Sequence, residues 1–279
     1  MNCPVHDPVM NPLQQYEITI LPGRNRDGRR EGFDRIVIRP GHTLSIVGPT
    51  GSGKSAFIND IEVLAQDDTV TGRVIQVNGK EPSEELVRDP ARKPIALITQ
   101  NTRVIADLEV ARFLALHVHA RDTGTEEIIS RTIALANEFT GEKITGTMRM
   151  TALSGGQTRS LLIADAILIG QTPILLLDEI ENAGIHKERV IACLKEYHKA
   201  VIFVTHDPYL ALITDRRIVM KNGAVAAVLE PGEQEREIIG TISGMDAFLR
   251  DLREKIRGGE VIITAGPTPS LRKKTGAPA

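Results

Sequence analysis

The chain has 279 residues, 41% apolar and 25% charged, and its 34 basic and 36 acidic side chains leave a net charge of −2. That length supports one or two domains with a sizeable core, and the balance excludes disordered and fibrous classes. It supplies no field for general capture of nucleic acid or anionic lipid, and with three tyrosines, six phenylalanines and no tryptophan a base-stacking sheet is excluded as well.

The two cysteines, Cys3 and Cys193, make no disulfide framework, which points to a reducing cytoplasm. The opening MNCPVHDPVMNP carries prolines and an aspartate where a signal peptide needs a basic start and an apolar run, so it reads as an irregular lead-in. Its Cys3 and His6 have metal-ligand spacing, but no Cys/His partner set completes a zinc site.

Short apolar runs at Arg35 to Ile38, Thr43 to Val47, Ile95 to Thr99, Ile174 to Leu177 and Val201 to Thr205 are bounded by Gly, Pro or charge. Several are apolar on both faces, the pattern of parallel strands covered by helices on each side, so the fold class is α/β. All fall far short of the roughly 18 residues that cross a bilayer. Between Asn101 and Ala152 helical spacing takes over, in Leu108, Arg112, Phe113 and Leu116 and again in Ile128, Ile129, Ile133 and Ala136. This predicts a helical insertion between two strands.

After Arg217 to Met220, the pair Asn222-Gly223 predicts a hairpin that closes the core. Ser243 with Asp246 resembles a capping box, and Met245, Phe248, Leu249, Leu252 and Ile256 mark one face of a final amphipathic helix that stops at Gly258-Gly259. The terminal SLRKKTGAPA reads as a solvated basic tail. The expected organisation is a core over 1–240, with a helical subdomain at about 101–165, followed by the helix and tail over 241–279.

Gly48-Pro49-Thr50-Gly51-Ser52-Gly53-Lys54-Ser55 follows a predicted strand and opens a helical run, the context that makes a phosphate-binding loop specific. Successive backbone N–H groups curl around phosphates at a helix N-terminus, Lys54 reaches the β- and γ-phosphates, and the Ser55 hydroxyl is placed to ligate magnesium. Ile174 to Leu177 deliver Asp178 and Glu179 at a strand's carboxyl end, where α/β sheets place ligands. Asp178 would hold the metal, and Glu179 would orient and deprotonate an attacking water. Leu153-Ser154-Gly155-Gly156-Gln157 precedes a helix expected near Thr158, a second anion-binding helix start. Two such starts so far apart in sequence suggest that one serves a nucleotide held by another copy of the chain.

From about Tyr16 to Val228 the chain resembles the ATP-binding cassette (ABC) ATPases. The resemblance implies a P-loop ABC core, a mixed sheet flanked by helices, with an inserted helical signature subdomain and a C-terminal helix. It implies that Gly48 through Ser55 bind ATP phosphates and that Ser154, Gly155, Gly156 and Gln157 are the signature. Gln100 becomes the glutamine that links magnesium to the helical subdomain, with Ser55 and Asp178 as further metal ligands. Glu179 becomes the catalytic glutamate, and His206, in Val204-Thr205-His206-Asp207, contacts the γ-phosphate.

ATP and Mg2+ are then the cofactors and a second ABC subunit, in a homodimer, is the first partner. The second partner is a membrane permease subunit at the inner face of the membrane or, as the alternative, a soluble protein or metallocofactor complex. Nucleic acid is not expected. The chain departs from the family pattern after Glu179, where Ile180-Glu181-Asn182-Ala183-Gly184-Ile185 places an aliphatic residue at the position of an interfacial carboxylate. Loss of coupling between two ATP sites is the expected consequence, with His186 as the alternative donor across the interface. For the adenine, Tyr16 lies far upstream and Phe33 reads as part of the next strand, so the guanidinium of Arg24 or a neighbour is a further stacking candidate.

Overall fold

The computed structural model describes residues 16–124, 126–180 and 185–262. Cys3, His6, the segment 181–184 and the terminal basic stretch lie outside them. The chain divides into two compact units, up to Glu230 and from Pro231.

The first unit is built on a six-stranded sheet ordered β5 (Ile95–Ile98), β6 (Ile174–Asp178), β7 (Ala200–Val204), β3 (Thr43–Val47), β8 (Arg216–Lys221) and β9 (Ala224–Leu229). The pairs from β5 through β8 are parallel, and β9 runs antiparallel to β8 across the Asn222-Gly223 turn. Both turn residues have positive φ, 52° and 80°, as a two-residue hairpin turn requires. The predicted strands and hairpin are therefore all present.

Strands β6 and β7 bury both faces, and each face belongs to a different core. Leu175, Leu177, Val201 and Phe203 pack with α5 (Gly155–Leu168), α4 (Glu126–Phe139) and α6 (Lys187–Glu196), through Leu161, Ile163, Leu135, Phe139, Val190 and Leu194. Leu176, Ile202 and Val204 join Leu44 and Ile46 against Phe57, Ile58 and Ile61 of α1 (Lys54–Val63). A strand that is apolar at every position fits this arrangement and no half-exposed one.

The second core is closed by a smaller antiparallel sheet, β2 (Ile36–Ile38), β1 (Ile18–Leu21) and β4 (Val74–Val77), which contributes Ile18, Ile20, Ile36, Ile38 and Ile75. Sequence patterning found only β2 of these. Strands β1 and β4 span four residues each. A short α2 (Glu84–Arg88) precedes β5. The predicted insertion contains α3 (Val110–Arg121), α4 and a 3-10 turn at Met150–Ala152, and runs into α5. That helix starts at Gly155 rather than near Thr158, because Ser154 and Gln157 cap it. α7 (Pro208–Ile213) follows β7 and is capped by Asp207.

The second unit contains α8, a single helix over Glu233–Arg257. The expected start at Ser243 is incorrect, and the expected boundary at 240/241 falls inside this helix. Ser243 reads as a cap in sequence, yet it and the nearby Gly240 and Gly244 are each only a modest propensity loss inside a long helix whose first turn carries Glu233 and Glu235. No described helix is long and apolar enough to cross a membrane.

Candidate functional site

The sheet order gathers motifs that the sequence scatters. Gly48 to Ser55 leave the end of β3, Gln100 follows β5, Asp178 ends β6 with Glu179 after it, and His206 lies just beyond β7. These four strands are neighbours and parallel, so all four sets emerge at one carboxyl edge of the sheet. Helix α1, the only one of the described helices that starts inside the loop itself, points its N-terminus into this edge.

The phosphate-type loop is braced by the hairpin and by its own lysine, while the first-turn N–H groups of α1 are left without a side-chain cap. Gly53 caps α1 with φ 104° and no side-chain hydrogen bond, so the first-turn N–H groups stay open for an anion. A Cβ at Gly53 would lie 2.8 Å from the Cα of Gly223, and one at Gly48 would lie 2.5 Å from the Met220 carbonyl oxygen. The hairpin turn therefore lies against the loop, and the Gly223 N–H donates to the Ser52 carbonyl at 2.9 Å. Lys54, 7% exposed, donates its ammonium to the carbonyls of Gly48 and Pro49 at 2.7 and 3.2 Å. The buried Ser52 hydroxyl has no hydrogen-bond partner. Pro49, Thr50, Gly51 and Ser55 are exposed.

A clasp absent from the sequence reading braces this loop. Arg26 donates to the Gly51 carbonyl at 2.6 Å, and its backbone N–H donates to Asn222. Deeper, Arg73 is fully buried between Glu31 and Asp60, with ion-pair distances of 2.7 and 2.8 Å, over the Phe57 ring at 4.8 Å. Burial works against its charge, but the two carboxylates outweigh it and raise the guanidinium pKa. Arg73 also donates to the Gly223 carbonyl, and Glu31 accepts from the N–H groups of Gly23 and Val225. One ion triad so ties α1, the segment before β4, and the hairpin. Its partners are 13, 42 and 150 residues away from Arg73, beyond any local pattern.

Asp178 and Glu179 are half-buried, and Glu179 has φ 49°, in the left-handed region unusual for a non-glycine. Its N–H donates to the Val204 carbonyl at 2.9 Å, a bond that extends the β6–β7 ladder to the strand end. The Glu179 carboxylate is 3.8 Å from Nε2 of the exposed His206, within ion-pair range and beyond a hydrogen bond. Gln100 is exposed, and its carbonyl accepts from Arg159 of α5 at 2.5 Å. Burial lowers the Arg159 pKa, and a Cβ at Gly155 would sit 3.0 Å from its guanidinium, so the glycine run admits this arginine to the Gln100 turn.

The second helix start is closed. Ser154 Oγ accepts from the Gln157 N–H at 3.2 Å, and Gln157 Oε1 accepts from the Ser154 N–H at 2.8 Å. The Ser154 hydroxyl donates to Glu142 at 2.6 Å, and Gln157 donates to the Lys143 carbonyl. Ser154 and Gly155 are exposed, while Gly156 and Gln157 are buried. These partners belong to the helical insertion, not to the strand ends.

Three further expectations meet the structure here. Ile185 is 6% exposed in the first core cluster, bridged to Thr140, so an aspartate there would enter the core rather than an interface. His186 is exposed at the start of α6, and Asn182 to Gly184 lie outside the described residues. Arg24 is exposed and bridged to Arg30, whereas Tyr16 and Phe33 pack on the second core.

A magnesium ion fits the donor chemistry at this edge. No cluster of three or more His, Cys, Asp or Glu occurs among the described residues. The hard oxygen donors present, the Asp178 carboxylate and the Ser55 hydroxyl, suit a cation that takes few protein ligands and completes its shell with phosphate and water.

The ABC transporter family model matches residues 35–182. An uncharacterized ABC transporter ATP-binding protein of Methanocaldococcus jannaschii is 48% identical over 248 residues, spanning 89% of this chain and 95% of that one. The thiamine import ATP-binding protein ThiQ of Brucella suis is 31% identical over 202 residues, 70% of this chain and 80% of its own. Among solved structures, an ATP-binding cassette dimer in a post-hydrolysis state with ADP and Pi matches with TM-score 0.59 at 23% identity, covering 76% of this chain and 98% of the other. The ATP-binding subunit of an ABC transporter matches with TM-score 0.59, also at 23% identity, over 80% and 92%. A family match over this much of the core, with the phosphate loop and paired carboxylates at one sheet edge, makes the chain a member of the ABC transporter family, an ATP-binding subunit with the α/β fold of its ATPases.

Proposed function

We propose that this protein hydrolyses ATP at the carboxyl edge of the large sheet, with the nucleotide enclosed between two copies of the chain. The uncapped start of α1 carries this reading: it presents open N–H groups and a lysine whose ammonium is bonded to loop carbonyls that phosphate oxygens can replace. The backbone of Gly48 to Gly53 holds the β-phosphate, and Lys54 adds charge at the β- and γ-phosphates. Ser55, Asp178 and Gln100 hold magnesium, which neutralises phosphate charge when bound. Glu179, fixed by its bond to Val204, orients the attacking water and takes its proton, while His206 meets the γ-phosphate. Ser154 to Gln157 close over the nucleotide of the second copy.

Its partner is a membrane permease subunit at the cytoplasmic face. The import functions in the names of relatives such as ThiQ support this over a soluble client. Lys54→Ala is expected to weaken ATP binding at least about 100-fold, whereas Glu179→Gln keeps binding and loses at least about 100-fold in turnover. Calorimetric titration and phosphate release read the two. Normal binding by Lys54→Ala, or parent-rate turnover by Glu179→Gln, overturns the assignment. Co-purification of Glu179→Gln with a soluble enzyme in place of a polytopic membrane protein overturns the choice of partner.

A further inference from the structure

Strand β7 ends at Val204 and α7 begins at Pro208, so a short turn carries His206 past the sheet edge. Both neighbours of the histidine are held. Thr205 is fully buried, and its N–H donates to the Ile46 carbonyl of β3 at 3.2 Å. The Asp207 N–H donates to the Thr205 hydroxyl at 2.9 Å, and Asp207 Oδ1 accepts from the N–H groups of Tyr209 and Leu210 as the cap of α7. The second carboxylate oxygen, Oδ2, pairs with the Lys187 ammonium. The side chains of that ion pair are 16% and 10% exposed, whereas the His206 side chain is 50% exposed.

Local rules do not favour a lysine at this place. Lys187 is the first residue of α6, where the positive end of the helix dipole opposes a cation. A carboxylate on another element accounts for it. Helix α6 is the firm side of the pair: the His186 N–H donates to the Phe139 carbonyl at 2.8 Å, and Val190, Cys193 and Leu194 are buried in the first core. Helix α7 has six residues, of which Leu210 and Ala211 are buried. A helix so short is not stable by itself, so its start lies where tertiary contacts hold it. Asp207 Oδ1 completes the α7 cap without the lysine. A nearly buried ion pair adds little net stability over apolar residues of the same volume, and what this one supplies is a fixed direction.

We propose that Lys187 is a positioning residue for His206, resting on the γ-phosphate role given to that imidazole above: Lys187 holds Asp207, and Asp207 sets the turn that aims His206. Phosphate release by the full-length protein with ATP and Mg2+ tests it. Lys187→Met should lower kcat about 10-fold and leave the KM for ATP within about 2-fold, because a small displacement of a group used in the transition state costs rate rather than binding. Asp207→Asn keeps an acceptor for the α7 cap and removes the carboxylate that Lys187 holds, so it should give the same loss. It also leaves no unpaired buried carboxylate, and the lysine can turn its ammonium to water, which makes it the variant to use should Lys187→Met unfold. In a His206→Ala background, Lys187→Met should change the residual kcat by less than about 2-fold, since a residue that acts through the imidazole has nothing left to position. Independent, multiplying losses in that background overturn the proposal, as does a rise in KM that accounts for the whole effect. Parent kcat in both Lys187→Met and Asp207→Asn, beside an impaired His206→Ala, overturns the positioning role and leaves the reading of the site standing. Parent kcat in His206→Ala overturns the γ-phosphate role and the proposal with it.

Discussion

Helices α1 and α5 both begin in glycine-rich turns with serine nearby, yet the structure finishes their N-termini in opposite ways. At α1 the cap is Gly53, without a side-chain bond, and the loop before it is braced from outside by the hairpin and the Arg73 triad. At α5 the cap is complete, with Ser154 and Gln157 bonded reciprocally and Glu142 holding the Ser154 hydroxyl. The first end is prepared for an anion within its own chain. The second is satisfied until something displaces Glu142, which suits a surface that engages a nucleotide only when two copies close.

The strongest way to break the comparison is to remove the brace at α1. Arg73→Met leaves Glu31 and Asp60 buried without their cation, and should destabilise the fold by about 3–5 kcal/mol, measured by urea unfolding. A loss under about 1 kcal/mol would mean that the triad does not support the loop. Gly53→Ala adds a Cβ against Gly223 at a residue with φ 104°. It should cost about 2 kcal/mol and lower ATP affinity in the monomer, because the open cap shifts with the clash.

Smaller changes sharpen the contrast from the α5 side. Ser154→Ala removes the cap and should cost about 1 kcal/mol without changing ATP affinity of the monomer. Equal losses of affinity in Ser154→Ala and Gly53→Ala would erase the distinction between the two ends. The smallest expected effect on stability belongs to Glu142→Gln, within about 0.5 kcal/mol because the pair is exposed. It should nevertheless lower the ATP concentration needed for dimer formation, since a carboxylate leaves the approach to Ser154. Light scattering against ATP concentration in a Glu179→Gln background checks this.

Legibility in the sequence followed the range of the interaction concerned. The loop from Gly48 to Ser55, the Asp178-Glu179 pair and the Asn222-Gly223 turn rest on local geometry, and each stands where its neighbours in sequence placed it. Ser243 with Asp246 imitates a cap inside a helix that in fact begins at Glu233. The distance of Ile185 from Glu179 suggests an interfacial position, and only its burial at 6% reveals a core side chain. An aspartate there is expected to destabilise the chain, without the gain in cooperativity that an interfacial position implies.

Sequence alone determined the parallel strands of the large sheet and the phosphate loop, because apolar runs and glycine-bearing turns declare themselves through contacts a few residues long. Tertiary structure decided the order β5-β6-β7-β3, which sets Gln100, Asp178, Glu179 and His206 beside a loop far earlier in the chain. It also decided the partners of Arg73 and Ser154. A buried guanidinium or a capping hydroxyl can be satisfied by any suitable carboxylate, so the choice of Glu31, Asp60 and Glu142 exists only once packing has brought distant segments together.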